Sequence, residues 1–178
     1  LMSMNLPNKL TMFRVILIPV FIIVLMAGIF SEPLNRYIGV AVFCIASFTD
    51  YLDGNIARKY NLVTNFGKFM DPLADKLLVS SALICMIELG MLPAWIVIII
   101  ISREFIITGF RLIAVENGVV IAASWWGKIK TVMQMAMIIV VMLGSNDLIG
   151  MVLIALATIF TVISGVDYIV KNIGVLKN

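Results

Sequence analysis

Histidine is missing from all 178 residues, and with it the commonest general base near neutral pH and the commonest transition-metal ligand. Cysteine occurs only twice, as Cys44 and Cys85, each inside an apolar run. No disulfide framework is implied, and the two thiols read as small packing residues. Charge is scarce: 13% of side chains are charged while 62% are hydrophobic, and the mean hydropathy is +1.13. No ordinary water-soluble domain has that balance. Low-complexity tracts and internal repeats are also lacking. Chemistry therefore falls to carboxylates, lysines, hydroxyls or hard cations.

What is present is a succession of apolar runs, each near the roughly 20 residues a helix needs to cross a bilayer. They recur too often for a signal peptide. They predict an all-α integral membrane bundle of six spanning helices, at about 10–30, 35–60, 66–89, 93–115, 123–144 and 148–171. Turn signals fall between them at Ser31-Glu32-Pro33, Gly90 to Pro93, Glu116-Asn117-Gly118 and Gly144 to Asp147. Connections this short imply one domain over 1–178. The first nine residues, with Met2, Met4 and Leu6 beside Asn5, Asn8 and Lys9, predict a short interfacial segment, and Asn8 is placed to cap the first spanning helix. Met133, Met135 and Met137 read as packing filler and Trp125-Trp126 as an interfacial anchor.

Lys9, Arg14, Arg58, Lys59, Lys68, Arg111, Lys128, Lys130, Lys171 and Lys177 fall on one side of this arrangement, and Arg36 on the other. The excess of cations predicts that side as cytoplasmic, with both termini and the connection between helices two and three facing it. A net charge of +3 spread among membrane segments fits a phosphate-rich membrane surface and not nucleic acid.

Against this background, Asp50, Asp53, Asp71 and Asp75 crowd into 26 residues. An aspartate near a bilayer centre costs about 2.5–3.5 kcal/mol, so four cost about 10–14 kcal/mol unless compensated. Asp50, Asp53, Gly54 and Ala57 stand at i, i+3, i+4 and i+7, one stripe of one helix, and Asp71 and Asp75 at i and i+4 share a face of the next. Gly54, Ala57 and Gly67 remove bulk where something must approach. Pro72 starts or kinks the third helix. Solvated helix ends paired with Arg58, Lys59, Lys68 and Lys76 would account for one aspartate, but not for four interleaved with small residues. Two divalent cations would neutralise the four charges, and oxygen-only ligation suits Mg²⁺ or Mn²⁺. Such a pair is suited to phosphoryl transfer.

The run Asp50-x2-Asp53-Gly54-x2-Ala57-Arg58-x8-Gly67-x3-Asp71-x3-Asp75 resembles the signature of the CDP-alcohol phosphotransferase family at every fixed position. The six-helix layout is similar to that family's membrane fold. The resemblance implies a homodimeric membrane enzyme with a two-metal site open to the cytoplasm, moving a substituted phosphate from a CDP-linked donor to an alcohol with release of CMP. It implies Asp50, Asp53 and Asp71 as metal ligands and Asp75 as both ligand and general base. It also implies Gly54, Ala57, Arg58 and Gly67 as contacts of the cytidine diphosphate.

The acceptor must be read elsewhere. Leu6-Pro7-Asn8-Lys9-Leu10-Thr11 with Arg14, Ser102-Arg103-Glu104-Phe105 and Gly127-Lys128-Ile129-Lys130-Thr131 resemble bacterial members of the family whose donor is CDP-diacylglycerol and whose acceptor is sn-glycerol 3-phosphate. That resemblance implies a bacterial cytoplasmic membrane. A phosphorylated acceptor needs unoccupied cations, and Arg103, Arg111 and Lys130 are the candidates. Lys128 and Lys130 point about 200° apart, so only one can face a cavity, and Lys130 is preferred. Glu104 is expected to pair with an arginine. Asn8, Thr11 and Arg14 are expected to contact the lipid donor. The rivals are a family member making phosphatidylinositol phosphate or cardiolipin, and a divalent-cation transporter.

Overall fold

The computed structural model describes residues 5–60, 62, 64–116, 118, 119, 121, 122, 124–144 and 148–176. These form six long helices, α1 (Leu6–Met26), α2 (Leu34–Lys59), α3 (Asn65–Glu88), α4 (Ala94–Glu116), α5 (Trp125–Met142) and α6 (Leu148–Asn172), and a short 3-10 turn, Ile173–Leu176. No strand occurs among the described residues. The chain divides into two compact units, Leu1–Glu88 and Leu89–Asn178.

In the first unit, α1 packs against both α2 and α3. It begins at Leu6 because the Asn5 side chain accepts the Asn8 N–H at 3.1 Å, while Pro7 sits where a missing N–H is harmless. This corrects one expectation: Asn5, not Asn8, is the cap, and Leu6 to Lys9 form the first turn of α1 and are continuous with it. Residues 1–4, with Met2 and Met4, lie outside the described residues. The helix stops at Met26, short of residue 30, because Gly28 turns the chain at φ +60, a conformation only glycine adopts without strain. Thr64 Oγ accepts the Gly67 N–H at 3.0 Å near the start of α3, so Pro72 falls within that helix and does not begin it. The Phe21 and Phe43 rings, 6.0 Å apart, are fully buried, as are Ala46, Ala74, Leu83 and Met86.

In the second unit, α6 packs against α4 and α5. Ser124 caps α5 by accepting the Gly127 N–H at 3.1 Å. Ile100, Met137, Ile138, Val141, Met142 and Ala157 are buried, which bears out the packing role of Met137. Trp125 is exposed, whereas the Trp126 ring stacks on Phe160 of α6 at 6.1 Å.

Both units carry many large apolar side chains on their outer faces and several polar ones inside. Ile16, Ile23, Ile45, Phe48, Ile98, Phe105, Leu148 and Val170 face outward, while Asn8, Thr11, Arg14, Asp53, Lys130, Gln134, Thr161 and Ser164 are inside. Two helices, α1 and α6, are long and apolar enough to cross a membrane, and only 28% of each apolar stretch is buried, unlike the core helix of a soluble protein. In the other four, apolar runs are interrupted by the aspartates of α2 and α3, by Arg103, Glu104 and Arg111 of α4, and by Lys128 and Lys130 of α5. The six expected spans are thus six helices of which two pass on length and composition.

Phe43→Ala opens a cavity against Phe21 and is expected to cost about 3 kcal/mol of stability. Phe48→Ala, at an outward position 59% exposed, is expected to stay within about 0.5 kcal/mol. Thermal unfolding of both variants in one detergent checks the contrast.

Candidate active site

Asn8, Thr11 and Arg14 follow at three-residue steps along α1, which keeps them on one side of the helix, and all three are buried. Arg14 is 0% exposed. Its Nε donates to the Ala46 carbonyl at 3.2 Å and its Nη2 to Asp53 Oδ2 at 2.5 Å. Its Nη1 lies 2.7 Å from Asp50 Oδ1, an ion pair whose angle is off that of a hydrogen bond. A buried guanidinium without partners would be disfavoured by several kcal/mol. Two carboxylates one helical turn apart supply the compensation, and the planar fork of an arginine can meet both at once.

Thr11 makes the second junction. Its hydroxyl lies 2.6 Å from Asp71 Oδ1, 3.4 Å from Asp53 Oδ2 and 3.1 Å from the Pro7 carbonyl. Arg14 joins Asp50 to Asp53, and Thr11 joins Asp53 to Asp71. The side chains are exposed unequally, 40% for Asp50 against 2% for Asp53, so the middle of the row is protected and its ends, Asp50 and the half-buried Asp71, are more open. Asp75, one turn beyond Asp71 on α3, is exposed.

The connection from α2 to α3 is tied to the same face of α1. Asn5 Nδ2 donates to the Leu62 carbonyl at 2.8 Å, and the Thr64 hydroxyl donates to Asn8 Oδ1 at 2.8 Å. Gly67 is buried here. A Cβ at this position would lie 3.4 Å from each of Asn8 Oδ1, Asp71 Oδ2 and Thr64 Oγ, so the missing side chain leaves a small hollow rimmed by three oxygens. Gly54 and Ala57 are half-buried along α2. Arg58 is the next-to-last residue of that helix, and its side chain lies outside the described residues, as does that of Lys68.

Among the described residues, no three acidic side chains are gathered tightly enough to enclose an ion. In donor chemistry the set still fits a hard divalent cation of the Mg²⁺ or Mn²⁺ type. Asp50, Asp53 and Asp71 offer only oxygens, Thr11 adds a hydroxyl, and no soft ligand stands beside them. Arg14 is what the sequence reading missed. It was expected to meet the donor, but it is the counter-charge of the aspartates. The polar steps Asn8, Thr11, Arg14 in an otherwise oily helix were the available signal.

The second unit assembles the acceptor-site candidates. Arg103 Nε donates to Ser164 Oγ at 3.1 Å and Nη1 to Glu104 Oε1 at 3.1 Å. Lys130 Nζ pairs with the same Glu104 oxygen. Lys130 is buried and Lys128 exposed. Both Arg103 and Lys130 are nevertheless already engaged by Glu104, contrary to the expectation of unoccupied cations. Arg111, two turns beyond Arg103 on α4, stands over the Tyr168 ring at 5.9 Å from its centroid. Ser164 and Tyr168, one turn apart on α6, went unread, although Thr161, Ser164, Gly165 and Tyr168 form a polar and small stripe at i, i+3, i+4 and i+7. Gly165 makes room for Arg103, because a Cβ there would come within 3.2 Å of Arg103 Cγ.

Comparison with known proteins agrees with the motif. The chain is 47% identical over 188 residues to the "CDP-diacylglycerol--glycerol-3-phosphate 3-phosphatidyltransferase" of Bacillus subtilis, covering 97% of each chain. It is 42% identical over 176 residues to a protein of the same description from Haemophilus influenzae, covering 94% of this chain and 93% of the other. A "Probable phosphatidylglycerophosphate synthase" of Mycobacterium tuberculosis is 41% identical over 170 residues, covering 94% of this chain and 81% of that one. Residues 4–163 match the family described as CDP-alcohol phosphatidyltransferase, a stretch that runs through the aspartate signature and both helical units, and the chain belongs to that family.

Proposed function

We propose that the chain transfers the phosphatidyl group of CDP-diacylglycerol to sn-glycerol 3-phosphate, giving phosphatidylglycerophosphate and CMP. The observation that carries this is the row Asp50, Asp53, Asp71, joined by Arg14 and Thr11, in a chain so close in sequence to enzymes described as carrying out this transfer. The chain acts as one domain, a reading that the family match across both units supports. It works as a homodimer in the bacterial cytoplasmic membrane, with six spans and with both termini and the site on the cytoplasmic side, as the lysine and arginine distribution supports.

Asp50, Asp53, Asp71 and Asp75 would hold two divalent cations, Mg²⁺ or Mn²⁺. Bound there, such ions supply positive charge to the diphosphate oxygens of the donor as charge builds on departing CMP. Arg14 keeps the Asp50 and Asp53 carboxylates apart and oriented. Gly54, Ala57 and Gly67 leave room for the cytidine diphosphate, Arg58 contributes a cation to it, and Asn8 and Thr11 bound the donor on the α1 side. Asp75 takes the proton of the attacking glycerol hydroxyl. The new O–P bond forms at the phosphorus that carries diacylglycerol, and the bond from that phosphorus to the CMP oxygen breaks, the electron pair leaving on CMP. A carboxylate is a weak base for an alcohol, but the proton becomes acidic as its oxygen bonds to phosphorus. Arg103, Arg111 and Lys130 hold the acceptor phosphate through charge-assisted hydrogen bonds.

Purified protein given CDP-diacylglycerol, Mg²⁺ or Mn²⁺ and one acceptor at a time should release CMP with sn-glycerol 3-phosphate. Product with only inositol phosphate or phosphatidylglycerol would replace the acceptor assignment, and cation flux into liposomes without CMP release would replace enzyme by transporter. Asp75→Asn should retain donor binding, measured by equilibrium binding of labelled CDP-diacylglycerol, while turnover falls about 100-fold or more. CMP release at the normal rate would remove Asp75 as the base. Arg103→Ala should raise KM for glycerol phosphate about tenfold with little change for the donor; a steady-state titration of each substrate reads the difference.

A further inference from the structure

The cations assigned to the acceptor phosphate are held, in the protein alone, by a carboxylate. Glu104 Oε1 receives Arg103 Nη1 at 3.1 Å and also Lys130 Nζ. All three side chains are largely enclosed, 14% exposed for Arg103, 4% for Lys130 and 23% for Glu104. Two cations brought together away from water repel strongly, and a single buried lysine without a counter-charge is disfavoured by several kcal/mol. An anion has to stand between them. Around the guanidinium the remaining space is set: Ser164 Oγ fixes Nε, Gly165 lies against Cγ, and a Cβ on Gly127 would sit 3.5 Å from Nη2. Arg103 is therefore held by Ser164 of α6 as well as by Glu104, and Gly127 and Gly165 leave room for its side chain.

We propose that Glu104 is a resident surrogate for the acceptor's phosphate: it holds Arg103 and Lys130 side by side while the site is empty of substrate, and an incoming phosphate monoester takes over their hydrogen bonds. This deepens the assignment of Arg103 and Lys130 to the acceptor and rests on it. A phosphate dianion brings more charge and more acceptor oxygens than one carboxylate, so it can displace Glu104 from both cations. A neutral alcohol cannot. The cost of displacing Glu104 thus falls on every acceptor, and only a phosphorylated one recovers it, which makes Glu104 a specificity-determining residue.

The test compares wild type with Glu104→Gln in nanodiscs of phosphatidylcholine, reading thermal unfolding against inorganic phosphate and sn-glycerol 3-phosphate, and KM for the latter. Without Glu104 the two cations lose the counter-charge they share, so the variant should melt lower without added anion. Phosphate should then raise its Tm by at least about 3 °C more than that of the wild type, and KM for glycerol phosphate should fall about fivefold or more. Equal anion-induced shifts in the two proteins would overturn the proposal. So would a shift seen only when the nanodiscs contain phosphatidylglycerol, since the anion would then be a lipid headgroup. A larger phosphate shift with KM unchanged would keep Glu104 as a surrogate anion and overturn the assignment of this site to the acceptor. If Glu104→Gln fails to fold, Glu104→Asp, whose shorter carboxylate draws back from Lys130, should show the same changes at smaller size, and an unaltered anion response in it would count against the proposal.

Discussion

The contact on which the first helical unit depends is the insertion of the Arg14 guanidinium between Asp50 and Asp53. Without it, the enclosed Asp53 and the partly exposed Asp50 would repel on successive turns of α2, and α1 would bring a fully enclosed cation to no counter-charge. The interaction also sets the register of α1 against α2, because the Nε donation to Ala46 fixes the guanidinium along the helix as well as across it. With α1 so placed, Thr11 reaches Asp71 and Asn8 reaches Thr64, and α3 is held to the same face. The site and the packing of the first unit are thus one set of contacts.

The second unit repeats the principle with other residues. Lys130 and Arg103 are kept inside by Glu104 and Ser164, and the surrounding helix faces carry isoleucine, valine and methionine. In both units the buried charges are paired within the protein and the outer faces carry large apolar side chains. That division follows from a solvent that offers no hydrogen bonds. It also explains why α2 to α5 are less apolar than α1 and α6: the residues that lower their hydropathy include the site residues.

Much of this was legible in the residues taken in order. Six apolar runs bounded by glycine and proline gave six helices near the expected places, because a helix of this kind is specified locally. The ends moved where one residue's chemistry decided them, as with Asn5 and Gly28 at the two ends of α1. The aspartate stripe on α2 was visible because helical spacing is local too. The pairing of Arg14 with Asp53 joins residues 39 apart on different helices, and no periodicity reports which helices face each other. The same holds for Ser164 and Tyr168, whose partners on α4 lie far back in the chain.

The Thr11 hydroxyl has a single hydrogen and three oxygens within reach: that of Pro7 in its own helix, and one each from Asp53 and Asp71. It can serve them only in turn. Changing from one to another needs a swing about one C–O bond, with every heavier atom at rest. When charge is drawn out of Asp71, α1 can answer by reorienting a proton, and the scaffold has no rearrangement to make.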